Sequence, residues 1–260
     1  MFRWLLNSVP TWALVVLVVG GFIAVAGFGL LFVRRRWPHL IAGEHNDVAG
    51  VLLGIVGATY GIMLAFVIVA VYQDFSDAEA NVRGEATSLA QVYRDTRGMP
   101  IADAMTEQIG RYVHHVVEDE WALMADGQLS AQAGSDIDAM FAVLQGFEPQ
   151  TQSQSAFYDA AIGDINQVVA QRRSRLFDAQ EELPVMLQLL VVGGALLVVA
   201  FTWLFGMRRL TAQLLMVMGV GTLIGFSVLL ALMIDHPFSG DLSISSAPFR
   251  EGALAVFWQP

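Results

Sequence analysis

Long apolar runs and one long polar stretch alternate along the chain, and this pattern predicts the main elements. Four runs contain no Asp, Glu, Lys, Arg or His: Ala13–Val33, Val48–Tyr72, Pro184–Gly206 and Leu210–Ile234. A bilayer core about 30 Å thick is crossed by about 20 apolar residues of helix. A helix also satisfies its own backbone hydrogen bonds, as lipid requires. The pattern therefore predicts four transmembrane helices.

Residues 73–183 lie between the second and third runs and are predicted to form helices outside the membrane. Apolar positions recur at helical spacing over Ile101–Met124 and again over 155–182. Ser135 and Asp138 resemble a capping box that starts a further short helix. No segment carries the alternation typical of a strand, so the prediction is an all-α protein.

The pattern divides the chain into four parts. Residues 1–72 hold transmembrane helices 1 and 2, and residues 73–183 form a helical extramembrane domain. Residues 184–234 hold transmembrane helices 3 and 4, and residues 235–260 form a short C-terminal tail.

The first apolar run has an alternative interpretation as a cleaved signal peptide. Ala24-Val25-Ala26 resembles a signal-peptidase site behind an apolar core. However, the apolar run continues to Val33 and stops at Arg34-Arg35-Arg36, which is a stop-transfer pattern. We therefore predict a retained helix.

The amino-acid composition excludes several classes of protein. Only 15% of the 260 residues are charged, against roughly 25% in soluble domains. Cysteine and lysine are both absent, which excludes disulfides and thiolate metal sites. The net charge is −10, and the extramembrane domain alone has 19 acidic residues and 7 arginines. Such acidity argues against a nucleic-acid partner.

The sequence contains none of the common enzyme motifs that we looked for. It contains no Walker loop, dinucleotide-binding fingerprint, HExxH or GxSxG. The adjacent His114 and His115 are each followed four residues later by a carboxylate, Glu118 or Asp119, which is a metal-compatible spacing. Neighbouring helical residues point about 100° apart, so we expect a solvated face, with no metal and no cofactor.

The second transmembrane helix carries two distinct lines of side chains. Four glycines, Gly50, Gly54, Gly57 and Gly61, share one line. Small residues at this spacing let another helix approach closely, and we predict that they pack helix against helix. The opposite line reads Thr59, Met63, Phe66 and Ala70, and then Asp77, with Asp74 nearby.

One hypothesis places copies of this helix around an axial path. Met63 and Phe66, with Thr59 and Ala70, would then form the pore lining and its constriction, because apolar constrictions gate by dewetting. Asp74 and Asp77 would form an acidic pore mouth, which favours cations. The alternative is that the glycines pack on helices of the same chain while the other line meets lipid and then water.

Asp235 at the end of the fourth run is predicted to make a structural contact. A carboxylate at a helix C-terminus opposes the helix dipole and needs compensation. Arginines of the extramembrane domain lie on the same side of the membrane, and the candidates are Arg83, Arg172, Arg173 and Arg175. At the start of the second helix, Asn46 or Asp47 is expected to act as a cap. The alternative for Asp235 is a turn signal.

Two groups of arginines predict opposite membrane orientations. Short loops with Arg34, Arg35, Arg36, Arg208 and Arg209 are cytoplasmic by the positive-inside rule, which places the acidic domain outside. Four arginines of the domain itself, close to the membrane, argue for the reverse. We expect a multi-pass protein of the bacterial cytoplasmic (inner) membrane, with the acidic domain extracytoplasmic.

Three stretches resemble a known family: HNDVAG at 45–50, FSDAEANVRGEA at 75–86 and DHPFSGDLSISSAPF at 235–249. With the arrangement of two helices, a polar block and two more helices, they resemble bacterial membrane proteins described as bestrophin-like. Bestrophins are homopentameric ion channels whose second membrane helix lines the pore, and bacterial members pass cations. The resemblance implies a homo-oligomer, with a pentamer favoured, and inorganic ions as the permeant partners.

The chain also departs from that family. Its tail has no acidic run like the calcium clasp of animal bestrophins, so calcium gating is not carried over. Bestrophins place the middle block in the cytosol, against the arginine argument above. The leading prediction is a cation-conducting bestrophin-like channel. The alternative is a non-conducting scaffold or sensor whose acidic domain binds a partner or a divalent ion, and a secondary transporter ranks third.

Overall fold

The structure of the protein, a computed structural model, describes residues 2–38 and 46–259. Within these residues it is helical throughout and contains no strand, which confirms the all-α prediction. The α-helices are α1 (Phe2–Ser8), α2 (Thr11–Arg36), α3 (Asn46–Thr96), α4 (Ala102–His114), α5 (Trp121–Ala125), α6 (Gln132–Gln145), α7 (Gln152–Gln180), α8 (Val185–Thr202) and α9 (Leu210–Ile234). A π-helix spans His115–Glu120, and short 3-10 helices span Ala247–Arg250 and Gly252–Trp258.

Four of these helices are long and apolar enough to cross a membrane: α2, α3, α8 and α9. They coincide with the four apolar runs, so the transmembrane prediction is confirmed. α2 is one unbroken helix from Thr11 to Arg36, past the signal-peptidase-like site. The short helix α1 before it was not predicted, because seven residues are too few to show a helical period.

The membrane bundle is held by close contacts at small residues. Gly221 and Gly225 of α9 let α2 approach, since a Cβ at Gly221 would lie 3.1 Å from the Phe22 carbonyl oxygen. Tyr60 of α3 covers Gly194 of α8, and its hydroxyl donates to the Val191 carbonyl at 2.9 Å. Such small-residue contacts are the usual means of packing helices in lipid.

α3 continues for 51 residues and carries the chain from the membrane into the extramembrane domain. There it packs antiparallel on α7, with Asn81 against Asp178 and Ser88 against Gln171. Its apolar positions Val82, Ala86 and Leu89 enter the core of the domain. The division predicted after residue 72 therefore falls inside one continuous helix.

Several local predictions were inexact. The helix predicted over Ile101–Met124 is interrupted by the π-helix, and α6 begins at Gln132, three residues before Ser135. The helix predicted over 155–182 begins at Gln152, where the Thr151 side chain accepts from Gln154 N at 3.1 Å. Tertiary contacts and capping set these ends, and neither follows from periodicity.

Candidate pore helix and the cavity at the membrane boundary

The membrane part of α3 presents one side to its own chain. Tyr60, Leu64, Val67 and Val71 are buried there, and the first three pack in one cluster with residues of α8 and α9. They follow one another at spacings of three and four and so form a single helical face. This face lies between the glycine line and the predicted pore line. The rest of the α3 surface must therefore meet lipid or another molecule.

The predicted pore-lining residues all lie on the uncovered surface of α3. Phe66 is 72% exposed and Met63 is 44% exposed, and Thr59 and Ala70 are exposed as well. Exposure within one chain fits both a pore and a lipid contact. The pore-lining role of these residues therefore stays a prediction.

Sequence reasoning missed two residues on this surface, Ile62 and Val69. They are 60% and 53% exposed and lie about half a turn from the buried face. In a ring of subunits with α3 innermost, the side opposite the chain's own contacts is the side that faces the axis. The apolar character of both residues was visible in the sequence, but the direction of the covered face was not.

The glycine line does not pack on helices of the same chain. A Cβ added at Gly54, Gly57 or Gly61 would meet no atom within 4 Å, and one at Gly50 would meet only the Phe205 ring at 3.8 Å. Packing of this line on its own neighbours was the alternative to contact between copies. Contact between copies stays a prediction.

The predicted mouth residues, Asp74 and Asp77, are exposed just beyond the membrane part of α3. Asp74 lines a cavity of about 80 Å³, which we call the boundary cavity. The cavity lies where α3, the end of α7, the α7–α8 linker and the end of α9 come together, and its acidic residues are Asp74, Asp178, Glu181, Glu182 and Asp235. The structure therefore joins Asp74 to carboxylates from distant parts of the sequence.

The structure gives Asp235 a different partner from the predicted arginine. Its Oδ1 accepts a hydrogen bond from Leu183 N at 3.0 Å, and its Oδ2 is buried without a hydrogen-bond partner. The predicted arginine contact does not form, because a backbone amide of the α7–α8 linker occupies that position. Burial raises the pKa of Asp235 to about 7, although the Leu183 hydrogen bond acts in the opposite direction.

The four candidate arginines are placed elsewhere. Arg83 pairs with Glu79 one turn away, and Arg172 pairs with Glu120. Arg175 pairs with both Glu85 and Glu120, while Arg173 is exposed on α7. Arginine prefers a partner that accepts two hydrogen bonds, and the domain core offers such partners.

Arg175 does tie the tail to the domain, through aromatic rings instead of Asp235. Its guanidinium carbon lies 5.3 Å from the Trp121 ring centre and 6.0 Å from that of Phe249 in the tail. Burial opposes the charge on Arg175, but Glu85 outweighs it and the pKa is raised. Tyr112 donates its hydroxyl to Glu85, and burial followed by the nearby carboxylate raises the tyrosine pKa.

The remaining polar residues singled out in the sequence contact other side chains or backbone groups of the same chain. His115 Nδ1 lies 2.6 Å from Asp136 Oδ2, and the His114 ring packs on Trp258. The Asn46 side chain bonds both the carbonyl and the amide of Gly206. A cap at Asn46 or Asp47 stays a prediction. His45, the first residue of the HNDVAG motif, lies outside the described residues. No group of three metal-ligating side chains forms within the described ranges.

The geometry defines a multi-pass helical membrane protein with one long, uncovered helix. A family model for the bestrophin-like domain matches residues 20–249, so the chain belongs to the bestrophin-like family. No curated protein matches it. The fold is accordingly ion-channel-like, and this family is of channel type.

Two solved structures share the fold. One is a bacterial bestrophin homologue from Klebsiella pneumoniae that carries a mutation, with a TM-score of 0.68 and 11% identity over 94% of this chain and 99% of that one. The other is a variant membrane protein with a TM-score of 0.60 and 14% identity over 94% and 95% of the two chains. Identities this low support the fold alone.

Proposed function

We propose that the protein is a homo-oligomeric, cation-conducting channel in which α3 from each copy surrounds the pore. The lipid bilayer, further copies of the chain and inorganic ions are its partners. The membership in the bestrophin-like family favours this function, and the family resemblance favours a pentamer.

One observation carries the proposal. Only 17% of the residues in the most apolar stretch of α3 are buried within the chain, against 44% in α9. α3 is nevertheless the helix with both a close-packing glycine line and an outward apolar line. A helix that its own chain leaves uncovered on these two lines is suited to a position between neighbouring copies and a central axis.

In this arrangement the pore has two successive parts. Phe66, with Ile62 and Met63, forms an apolar constriction within the membrane, where a narrow dry segment resists ion passage. Asp74 and Asp77 then surround the mouth, where several copies of each carboxylate raise the local cation concentration. Thr59 and Ala70 extend the lining on either side of the constriction.

The proposed location is the bacterial inner membrane. Two groups of arginines favour opposite orientations there. The extracytoplasmic placement of the acidic domain follows from the positive-inside rule for the two short loops. A single cysteine at Asp103, in α4, tests it: labelling by an impermeant maleimide in intact cells would support that side. Labelling only after the cells are opened would reverse it.

The function is tested by recording the purified protein in planar bilayers, together with its mass in detergent. A closed ring of identical copies and discrete cation currents are expected. A monomer without currents would instead favour the non-conducting scaffold or sensor, whose acidic domain binds a partner. Currents with stoichiometric coupling between two solutes would favour a transporter.

A further inference from the structure

A groove between α6 and α7, which we call the α6–α7 groove, leaves large apolar side chains uncovered outside the membrane. It has a volume of about 750 Å³, and Leu129, Val169 and Phe177 line it. Phe177 is 63% exposed, Leu129 is 48% exposed and Val169 is 37% exposed. Exposed apolar patches that are rimmed by polar residues mark interaction sites.

The α6–α7 groove lies on the far side of α7 from α3. Gln171 and Asp178 of α7 contact α3, and Arg173 of the groove lies about half a turn away from both. The groove follows α7 from Val169 to Gln180, about 16 Å along the helix axis. Because this stretch belongs to the extramembrane domain, a protein surface suits it better than lipid does.

The C-terminal tail lies on the opposite flank of α3. Tyr93 of α3 packs on Phe257 of the tail, with the ring centres 5.5 Å apart. At about 100° per residue, Tyr93 points about 130° away from Asn81 and Ser88, which face α7. The exposed Thr87 points into the remaining sector. α7 and the tail therefore flank an uncovered side of α3.

The two flanks also lie at similar distances from the membrane. α3 and α7 run antiparallel with Ser88 beside Gln171, and five residues further along α3 Tyr93 contacts the tail next to Val256. Val169, two residues before Gln171, therefore lies about 4.5 Å from the level of Tyr93. Copies related by rotation about an axis normal to the membrane would bring these apolar residues to nearly the same height.

The two flanks carry complementary charges beside their apolar residues. Arg173 and Asp138 are exposed in the groove, and Arg250 and Glu251 are exposed in the tail. None of the described ion pairs includes any of these four residues. Val256 of the tail is 45% exposed. Each flank thus offers one charge of each sign and an apolar side chain to the other.

We propose that the α6–α7 groove of one copy binds the tail flank of the next copy, with Val256 against its apolar side chains and Glu251 paired with Arg173. The inference rests on the proposed function, because it requires a ring in which the uncovered side of α3 faces the axis. The two flanks of each copy then meet its two neighbours. A contact between two different surfaces is head-to-tail, and it closes into a ring when the rotation permits.

Cross-linking tests this contact directly, because the chain has no cysteine of its own. The purified full chain with both Arg173→Cys and Glu251→Cys is treated in detergent with a short bis-maleimide. A covalent ladder from dimer to full ring is expected on a denaturing gel, while each single variant stays monomeric.

The control pair is Arg173→Cys with Asp159→Cys, which places the second cysteine at an exposed position near the far end of α7. It should give no ladder. A test pair without a ladder, or an equal ladder in the control pair, would overturn the contact. Dimers formed by a single variant would overturn it too, because they require identical surfaces to meet.

Substitutions in the groove measure the strength of the contact. Phe177→Asp changes an exposed side chain, so the fold should persist while the concentration for half-dissociation of the oligomer rises about tenfold. Phe157→Asp, on an exposed residue of α7 outside the groove, should leave that concentration unchanged. Equal effects of the two variants would exclude the groove.

Charge reversal tests the proposed ion pair. Arg173→Glu should raise the half-dissociation concentration about fivefold, because it sets two carboxylates against each other, and adding Glu251→Arg should restore it. The effect should be largest at low ionic strength. A double variant as weak as Arg173→Glu alone would refute the pairing.

Failure of this inference can be told apart from failure of the proposed function. An oligomeric, conducting protein whose test pair gives no ladder would retain the channel and eliminate this contact. A ladder without any current in planar bilayers would retain the contact and eliminate the channel. A wild type that is monomeric at every concentration would overturn both.

Discussion

Glu85 of α3 and Arg175 of α7 form a two-point ion pair with both side chains completely buried. The Nε–Oε2 distance is 2.7 Å and the Nη2–Oε1 distance is 2.9 Å. Arg175 Nη2 also donates to Glu120 Oε2 at 2.9 Å. These contacts join α3, the π-helix and α7 at a point outside the membrane. The extramembrane domain is thereby fixed to the helix that we propose surrounds the pore.

Replacing Arg175 with Met should strongly destabilise the extramembrane domain. The change leaves Glu85 buried without its counter-charge, which typically costs about 3–5 kcal/mol. Unfolding of the purified protein in detergent, followed thermally or with denaturant, measures the loss. Arg83→Met is the matched control, because Arg83 and Glu79 form an exposed pair one turn apart that contributes about 0.5 kcal/mol or less. Equal losses in the two variants would refute this role of the buried pair.

Shortening Phe66 should widen the apolar constriction. Phe66→Ala is expected to raise the single-channel conductance severalfold, and Ile62→Ala to raise it less, since a wider and less apolar segment stays wet. The measurement is single-channel recording in symmetric KCl. Leu189→Ala on α8, which removes another exposed apolar side chain, should leave the conductance unchanged. If Phe66→Ala behaves like this control, Phe66 faces lipid.

Neutralising the mouth should weaken the preference for cations. Asp77→Asn removes one negative charge per copy from the proposed ring, so the reversal potential in asymmetric KCl should move toward zero. The shift should be larger at low ionic strength, because salt screens exposed charges. Asp103→Asn, an exposed carboxylate on α4, is the control. An identical reversal potential in the two variants would exclude Asp77 from the mouth.

A large side chain in the glycine line should disrupt assembly without unfolding the chain. Gly57→Leu meets no atom of its own chain within 4 Å of the new Cβ, but it would block a second helix from close approach. The mass in detergent should fall from the oligomer to smaller species. Gly193→Leu on α8, which is equally unobstructed, should keep the oligomer. Intact oligomers of Gly57→Leu would leave the glycine line facing lipid.

Asp235 should make the stability depend on pH near neutrality. Its pKa rises from an ordinary 3.8 to about 7 in the folded state, so the folded protein binds the extra proton. The contribution of Asp235 to stability is then greatest below pH 3.8, falls by up to about 1.4 kcal/mol per pH unit as the pH rises toward 7, and levels off above 7. The pKa of His236 is lowered from its ordinary 6.5 by burial, so His236 opposes this slope near pH 6.5, and its effect fades as the pH rises above that value.

The measurement is the Tm of wild type and Asp235→Asn between pH 5.5 and 8 at constant ionic strength. The variant should lose most of the slope and melt higher than wild type at pH 8. Asp159→Asn should keep the wild-type slope. Parallel curves for wild type and Asp235→Asn would show that the buried carboxylate does not titrate in this range.

Helical periodicity and the length of the apolar runs were enough to predict the overall architecture of the protein. The four spans, the all-helical extramembrane domain and the family resemblance all follow from patterns that a linear sequence records. One clue to the core was also present, since Glu85 falls on the same helical line as Val82 and Leu89. A charged residue on an apolar line indicates a buried partner, but nothing in the sequence names Arg175 as that partner.

What the sequence determined by itself was which segments leave water, because transfer into lipid depends on local composition summed over one helix. What the tertiary structure alone decided was which side of α3 its own chain covers and which carboxylates share a cavity. Asp74, Asp178 and Asp235 line one cavity because α7 runs back along α3 and α9 ends beside the α7–α8 linker. Such contacts depend on the relative placement of whole helices, which no periodicity within a single helix specifies.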